Sequence, residues 1–149
     1  MSDNILVIPK VSIIIPIYNT APFLRETLDS ICNQSLKELD IILINDGSTD
    51  ESPDIIEEYA LRDHRIRYMT QPSQGQSVAR NNGLQLATGK DIYFMDSDDK
   101  LDTDALKECY NICEKDKLDF VFFDATVISA PDTSNTFTYC RKGIINENK

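Results

Sequence analysis

Two apolar runs rich in β-branched residues limit the folds that this chain can adopt. The first covers Val11–Ile17 and the second covers residues 40–44, and neither alternates polar with apolar positions. A strand with one face in water alternates, whereas the strands of a parallel sheet are covered on both faces and are apolar throughout. The two runs therefore predict central strands of a parallel sheet, which requires helices on both of its faces.

Helix signals follow these runs at regular intervals. Pro22 and Pro53 each mark the first turn of a helix, with Ser52 as the expected N-cap of the second, and Gly89 marks the end of a third. The complete expectation is five strands at residues 11–17, 40–44, 66–69, 91–95 and 119–123, separated by helices that begin near residues 20, 52, 76 and 103. Strands joined by right-handed helical crossovers form a doubly wound, Rossmann-like and mostly parallel α/β sheet with helices on both faces.

Polar motifs follow each of the first four predicted strands. They are Tyr18-Asn19, Asp46-Gly47-Ser48, residues 71–75 and Asp96-Ser97-Asp98-Asp99. In doubly wound sheets, ligands bind beyond the carboxyl ends of the strands, near the point where the strand order reverses. The motifs therefore predict one shared ligand cleft, although Asp46 is equally typical of a simple turn and Tyr18 of a packing ring. The glycines match neither a dinucleotide fingerprint nor a P-loop.

The acidic motif after the fourth strand places three carboxylates, Asp96, Asp98 and Asp99, within four residues. Two unit charges about 4 Å apart repel by roughly 4 kcal/mol at an effective dielectric near 20, so ionisation of all three favours a bound cation. Mg²⁺ or Mn²⁺ suits such oxygen donors and leaves room for water and substrate phosphate. The alternative is a solvated turn in which Asp99, Asp102 and Asp104 favour the positive end of the next helix.

The third predicted helix, near residues 76–87, has two features that bear on a ligand. Arg80 carries a permanent charge and a planar fork that matches phosphate, or it is a surface arginine. Ala79, Gly83 and Ala87 recur every four residues and form a ridge of small side chains. Gly83 costs the helix about 1 kcal/mol relative to Ala, so either a neighbouring strand or a ligand needs the space.

Charge and composition narrow the class of partner. The chain has 15 Lys and Arg against 25 Asp and Glu, and its net charge of −10 disfavours nucleic acid and anionic lipid. No apolar run reaches the roughly 18 residues of a membrane span, and the first ten residues lack the pattern of a signal peptide. The four cysteines form no CxxC pair, which favours reduced core thiols. We therefore expect a cytoplasmic protein.

Four segments together resemble family 2 glycosyltransferases with the GT-A fold. They are residues 11–19, 45–50, 79–83 and 96–99, with the sequences VSIIIPIYN, NDGSTD, ARNNG and DSDD. As a set they are far more specific than a DxD motif alone. The resemblance covers residues 10–125, so residues 1–9 would form an N-terminal tail. Residues 126–149 would begin an acceptor-side region that is truncated in this chain.

The resemblance implies transfer of a sugar from a nucleoside diphosphate sugar, usually a UDP-sugar, to an acceptor hydroxyl with inversion at the anomeric carbon. The acceptor would be a sugar or lipid-linked sugar of a bacterial surface polysaccharide or glycolipid, modified in the cytoplasm or by an enzyme peripheral to the inner membrane face. The cofactor would be Mn²⁺ or Mg²⁺, bound by Asp98 and Asp96. The donor would be bound by Pro16, Tyr18 and Asn19 around the uridine, Asp46 at the base, Arg80 at the base or diphosphate, and Asp96 near the ribose, with Ser97 as a further nucleotide-sugar-binding residue.

The sequence does not identify the catalytic base. The family's base is a carboxylate beyond the acidic loop, and neither Asp124 nor Glu147 lies in a motif that identifies it. The alternative function is therefore a nucleotide-sugar binding module without turnover. A Mg²⁺-dependent phosphohydrolase with an aspartyl nucleophile is disfavoured, because the acidic motif follows the fourth strand rather than the first and is followed by Lys100.

Overall fold

The computed structural model describes residues 8–123, 125–126 and 138–139. Within these ranges the chain forms six strands and four helices. In chain order they are β1 (Val11–Ile17), α1 (Ala21–Cys32), β2 (Leu39–Asn45), α2 (Ser52–Arg62), β3 (Ile66–Thr70), α3 (Gln76–Leu86), β4 (Asp91–Phe94), α4 (Ala105–Asp116), β5 (Ala125–Thr126) and β6 (Thr138–Tyr139). Strands and helices alternate from β1 to α4, as the sequence predicts.

The first four strands form one parallel sheet in the order β3-β2-β1-β4. Val11 of β1 lies opposite Leu39 of β2 and opposite Asp91 of β4. The chain moves outwards from β1 to β3 and then crosses back to place β4 on the other side of β1. Because parallel crossovers are right-handed, α1 and α2 cover one face and α3 covers the other. The predicted doubly wound α/β sheet with helices on both faces is confirmed.

β1 and β2 are buried along their whole length, because helices cover both of their faces. On one face Ile14, Ile42 and Ile44 pack with Ala79 of α3. The alternate positions point to the opposite face and are also fully buried: Ile13, Ile15, Ile41 and Leu43. Burial of one such side chain contributes roughly 1.5–3 kcal/mol, so these two strands form the centre of the apolar core.

α1 and α2 each bury one apolar face. The buried apolar residues are Leu24, Leu28 and Ile31 in α1 and Ile55, Ile56 and Tyr59 in α2. The expectation that Ser52 caps α2 is wrong, because Ser52 is the first helical residue and follows Glu51. The buried Ser52 hydroxyl instead accepts a hydrogen bond from the backbone N of Thr20 at 3.2 Å.

The predicted strand at residues 119–123 is wrong. α4 ends in a left-handed turn, since Lys117 has a φ of 54° and the N of Leu118 donates to the O of Cys113 at 3.1 Å. In the described segment that follows, residues 118–123 form no strand. Phe120 and Phe122 contact each other edge to face, with ring centroids 5.2 Å apart. The apolar run of residues 119–123, although typical of a strand, therefore lies in an irregular segment with a local aromatic contact.

The chain divides into two compact units, residues 1–107 and 108–149. The first contains the parallel sheet with α1 to α3, and the second contains most of α4 and a two-stranded antiparallel sheet of β5 and β6. Residues 1–7, Asp124 and Glu147 lie outside the described residues, as does most of the predicted acceptor-side region. The predicted tail at residues 1–9 and the boundary near residue 125 stay predictions. None of the helices in the described ranges is both long and apolar enough to cross a membrane.

The sheet beneath α3 explains Gly83. A Cβ atom at this position would lie 2.4 Å from Cγ2 of Ile14 and 3.4 Å from Cγ1 of Ile44. Two carbon atoms are optimally about 3.5–4.0 Å apart, so the helix lies too close to the sheet for any side chain here. A neighbouring strand, rather than a ligand, therefore needs the space.

Gly83→Ala is expected to destabilise the fold by about 1–3 kcal/mol, because the added methyl group overlaps the fully buried Ile14. The gain in helix propensity, about 1 kcal/mol, offsets only part of this cost. Urea unfolding followed by circular dichroism measures the change. Ser77→Ala, at an exposed position of the same helix, is the control and should be neutral or slightly stabilising. Equal stability of Gly83→Ala and wild type would contradict the tight contact.

Candidate functional site

A gap opens between β1 and β4 at the carboxyl edge of the sheet. The two strands pair as far as Ile14 opposite Phe94, and their last backbone bond joins the N of Met95 to the O of Ile14 at 3.1 Å. Pro16 is the next residue of β1 on the side of β4, and it has no N–H to donate. A proline is therefore tolerated in this central strand because the strands separate there. The strand order also reverses at this point, which is the usual ligand crevice of doubly wound sheets.

Asn19 joins the loop after β1 to the loop after β2. It has a φ of 52°, a left-handed conformation that asparagine tolerates. Its Oδ1 accepts hydrogen bonds from the N of Thr49 at 2.8 Å and the N of Asp50 at 3.3 Å, and its own N donates to Oγ of Ser48 at 3.1 Å. The neighbouring Tyr18 is 53% exposed, so its ring is available to a ligand and is not part of the core.

Asp50 has a role that the sequence analysis missed. Its Oδ2 accepts a hydrogen bond from the N of Ala21 at 3.0 Å, and its Oδ1 accepts one from the N of Ser52 at 2.9 Å. One carboxylate therefore binds the N-termini of both α1 and α2, where negative charge is favoured. Burial opposes ionisation, but the hydrogen bonds from Ser52 and Ala21 outweigh it and lower the pKa of Asp50.

Asp46, directly after β2, is buried and holds the loop that leads into α3. Its Oδ1 accepts hydrogen bonds from Nε2 of Gln71 and the N of Gln74, both at 2.8 Å, and its Oδ2 accepts one from the N of Gly75 at 2.9 Å. The hydroxyl of Ser73 lies 3.5 Å from Oδ2, at the limit of a hydrogen bond. Burial opposes ionisation, yet the bonds from this loop outweigh it and lower the pKa of Asp46.

Asp96, which follows β4, is bound by two side chains of α3. Nη2 of Arg80 donates to its Oδ1 at 2.6 Å, and Nε2 of Gln76 donates to the same oxygen at 3.0 Å. Gln76 and Arg80 are one helical turn apart and therefore reach the same group. The Asp96 side chain remains 47% exposed. The loop after β4 is thereby joined to the helix that follows β3.

Hydroxyl groups of α1 bind the other side of the acidic loop. Oγ1 of Thr27 donates to the O of Ser97 at 2.9 Å, and Oγ of Ser30 accepts from the N of Leu101 at 3.2 Å. Ser97 is buried, so its side chain offers little surface to a nucleotide sugar. Lys100 forms an ion pair with Glu26 of α1. The acidic loop is therefore held between α1 and α3.

Gln34 is a second residue that the sequence analysis missed. Its fully buried amide donates to the O of Asp102 at 2.7 Å and accepts from the N of Leu106 at 3.3 Å. A buried amide must be hydrogen-bonded, and these bonds hold the loop before α4 against the end of α1. The available signal was spacing, because Gln34 lies three residues after the buried Ile31 and continues the inward face of α1.

Asp98 and Asp99 occupy the exposed part of the acidic loop. The pKa of Asp99 is raised, first because its carboxyl is partly shielded from water and second because the negative charges of Asp96 and Asp98 lie nearby. Within the described residues, no group of three or more His, Cys, Asp or Glu side chains is arranged to hold a metal ion. Mg²⁺ accepts one or two protein carboxylates with water and phosphate oxygens completing its shell, so metal binding by Asp96 and Asp98 as a pair stays a prediction.

The predicted ligand-binding residues lie in or beside the loops at one edge of the sheet, but they differ in exposure. Pro16, Asp46 and Ser97 are buried and shape the loops. The side chains with exposed surface are those of Tyr18, Asn19, Arg80, Asp96 and Asp98. The ligand contacts that the resemblance implies for all of these residues stay predictions.

Asp46→Asn is expected to destabilise the fold by about 2 kcal/mol, because Asp46 is buried and an amide nitrogen cannot accept the hydrogen bonds from the loop before α3. The pKa of Asp46 is lowered in the folded state, so its stabilising effect is complete above the unfolded pKa of about 4 and is lost as the pH falls below it. Thermal unfolding between pH 7 and pH 3 should therefore show a steeper acid loss for wild type than for the variant. Asp54→Asn, at an exposed position of α2, should follow wild type. Parallel pH profiles for wild type and Asp46→Asn would contradict this role.

Sequence comparison identifies relatives for most of the chain. The family model described as Glycosyl transferase family 2 matches residues 12–148. The uncharacterized glycosyltransferase EpsJ of Bacillus subtilis (strain 168) is 45% identical over 114 residues, which are 76% of this chain and 33% of that protein. The matched relative is therefore about three times as long as the aligned part.

Solved structures share the fold. The crystal structure of S. aureus TarS 1-349 in complex with UDP-GlcNAc gives a TM-score of 0.67 at 29% identity, covering 71% of this chain and 31% of that chain. The mannosyltransferase PcManGT from Pyrobaculum calidifontis, in complex with GDP-Man and Mn²⁺, gives 0.66 at 27% identity, covering 70% and 32%. The expected GT-A fold is thereby confirmed. Because the family match extends over the sheet and all of its carboxyl-edge loops, the chain belongs to glycosyltransferase family 2.

Proposed function

We propose that this chain binds a UDP-sugar and transfers the sugar to an acceptor hydroxyl with inversion at the anomeric carbon. The observation that carries the proposal is one sheet edge where a buried aspartate, Asp46, and the Arg80–Asp96 pair flank the crevice beyond β1. The donor class is supported by two relatives, because TarS was solved with UDP-GlcNAc and PcManGT with GDP-Man and Mn²⁺.

Asp46 has capacity for one further hydrogen bond. Its Oδ1 accepts two bonds at 2.8 Å, whereas Oδ2 accepts one at 2.9 Å and has only the Ser73 hydroxyl at 3.5 Å. A carboxylate oxygen accepts about two hydrogen bonds. The N3–H group of uracil would take the place of the Ser73 hydroxyl on Oδ2, with the ring of Tyr18 and the Asn19 loop as walls of the uridine pocket.

Arg80 would bind the diphosphate. Asp96 engages its Nη2, and the guanidinium has further N–H groups whose planar arrangement matches phosphate oxygens. Gln76 also binds Asp96, so the carboxylate keeps a partner when Arg80 turns towards a ligand. The arginine would then stabilise the negative charge that grows on the leaving diphosphate.

Asp98 and Asp96 would hold a divalent cation, Mn²⁺ or Mg²⁺, near the ribose and the diphosphate. When bound, such an ion supplies Lewis-acid stabilisation of the leaving group. Asp98 is exposed at the tip of the loop, and Asp96 is fixed through a single oxygen by α3. Contacts of the loop with α1 at Ser97 would keep the two carboxylates in place.

The acceptor side of the reaction is proposed on the resemblance alone. The acceptor would be a sugar or lipid-linked sugar of a bacterial surface polysaccharide or glycolipid, reached from the cytoplasm or the inner membrane face. The group that deprotonates the acceptor hydroxyl is not assigned to a residue. The chain spans about a third of the length of the relatives described above, so donor binding without turnover is the competing proposal.

Calorimetric titration of UDP, GDP and UDP-sugars, with Mn²⁺ and again with EDTA, tests the donor site. UDP is expected to bind with Mn²⁺ and at least tenfold more weakly with EDTA, because the ion offsets the repulsion between diphosphate and carboxylates. Release of UDP with a panel of sugar acceptors then separates transfer from binding alone. Absence of binding by any nucleotide would contradict the proposed function, and binding without turnover would favour the competing one.

Asp98→Asn is expected to abolish the dependence of UDP affinity on Mn²⁺ while leaving the melting temperature nearly unchanged, because Asp98 is exposed. Asp104→Asn, also exposed and a few residues further along, removes the same charge and should leave metal-dependent binding intact. A large fall in the melting temperature of Asp98→Asn would instead assign this carboxylate a structural role.

A further inference from the structure

Gln71 connects α3 to the buried carboxylate of Asp46. Its Nε2 donates to Oδ1 of Asp46 at 2.8 Å, and its Oε1 accepts from Nδ2 of Asn82 at 2.7 Å. Gln71 and Asp46 are only 4% and 3% exposed, so water competes little for these bonds. The ionised carboxylate can only accept hydrogen bonds. Gln71 must therefore present its nitrogen to Asp46 and its oxygen to Asn82, so the relay runs in one direction.

The hydrogen bonds from Asn82 to Gln71 and from Gln71 to Asp46 form a relay. This relay determines which oxygen of Asp46 is open to a ligand. Gln71 and the N of Gln74 fill the two positions on Oδ1, and the N of Gly75 fills one position on Oδ2. A further N–H donor is therefore accepted at Oδ2 alone. Without the Gln71 donor, Oδ1 would also be open and the direction in which Asp46 binds a donor would no longer be fixed.

We infer that Gln71 is a positioning residue for the nucleobase and that Asn82 sets the direction of its amide. The inference rests on the proposed function, in which Oδ2 of Asp46 accepts the N3–H of uracil. Asn82 lies on the same helix as Arg80, which binds Asp96 at the other end of the donor site. α3 therefore aligns the groups for the base and for the diphosphate together.

Comparing the affinities of the chain for UDP and CDP distinguishes this role of Gln71 from a general effect on nucleotide binding. Their ribose and diphosphate are identical, but uracil has a ring N–H at position 3 where cytosine has an acceptor. The wild-type chain is expected to bind UDP roughly tenfold more tightly than CDP, the difference that one hydrogen bond to a charged group supplies. Calorimetric titration of both nucleotides with Mn²⁺ measures the ratio of the two affinities.

Asn82→Asp is the decisive variant. The substitution keeps the shape of the side chain but leaves Gln71 between two carboxylates that compete for its one NH2 group, so Oδ1 of Asp46 no longer has a fixed donor. UDP affinity should fall roughly tenfold while CDP affinity changes little. Asn82→Ala lets Gln71 keep its bond to Asp46 and should weaken UDP binding less. If Asn82 acted only through packing, Asn82→Ala would weaken UDP binding more than Asn82→Asp, because alanine leaves a cavity and aspartate does not.

Two further variants complete the test. Gln85→Glu adds the same charge at an exposed position of α3 and should leave the ratio of UDP to CDP affinity unchanged. Gln71→Leu removes the donor and should bring the two affinities together. Thermal unfolding checks that each variant is folded.

The outcomes distinguish the inference from the proposed function. If the wild-type chain binds no nucleotide, the proposed function fails. If it prefers UDP and Asn82→Asp keeps the same ratio, only the inference fails. Equal wild-type affinity for UDP and CDP also overturns the inference, because Asp46 would then bind no ring N–H.

Discussion

A buried aspartate at each end of β2 fixes α3 on the sheet. At the amino end, Asp40 accepts hydrogen bonds from the N and Oγ1 of Thr88, both at 3.0 Å, just after the helix. At the carboxyl end, Asp46 accepts one from the N of Gly75, directly before the helix. Burial opposes ionisation of both aspartates, yet their hydrogen bonds lower both pKa values. The helix that carries Arg80 therefore cannot shift along the sheet without breaking a charge-assisted hydrogen bond.

The surroundings of Asp40 and Asp46 differ at the two ends of β2. At the amino end, Arg67 forms an ion pair with Asp40 at 2.7 Å, and Ser12 donates to Asp40 while accepting from the N of Gly89. A Cβ on Gly89 would lie 2.5 Å from the N of Ser12, so the chain just after α3 packs directly against the start of β1. At the carboxyl edge, the strands separate at Pro16 and the loops carry exposed polar groups. The amino end therefore holds α3 through buried and charge-assisted bonds, whereas the carboxyl end combines such bonds with exposed polar side chains.

The architecture could be predicted from the sequence, because apolar runs and helix signals are local. The connections within the site could not, since Asp46 accepts hydrogen bonds from the side chain of Gln71 and from two backbone N–H groups that lie 25, 28 and 29 residues away. A motif such as Asp46-Gly47-Ser48 looks the same whether its carboxylate faces solvent or a distant loop. The roles of Gln34 and Asp50 could not be predicted for the same reason, because their hydrogen-bond partners include groups in distant parts of the chain. The incorrect strand at residues 119–123 shows a limit of local patterns, because a short apolar run can occur in a strand or in an irregular segment.

The charge around the acidic loop limits the kind of ligand that can approach it. Asp96 balances the charge of Arg80, and Glu26 balances that of Lys100, while Asp98 and Asp99 add negative charge to a chain of net charge −10. A diphosphate near the loop would be repelled by roughly 4 kcal/mol for each pair of charges about 4 Å apart near a protein surface. On the proposed function, a divalent cation shared by Asp96, Asp98 and the diphosphate would turn this repulsion into attraction. Nucleotide and metal would then each raise the affinity of the chain for the other by the same factor.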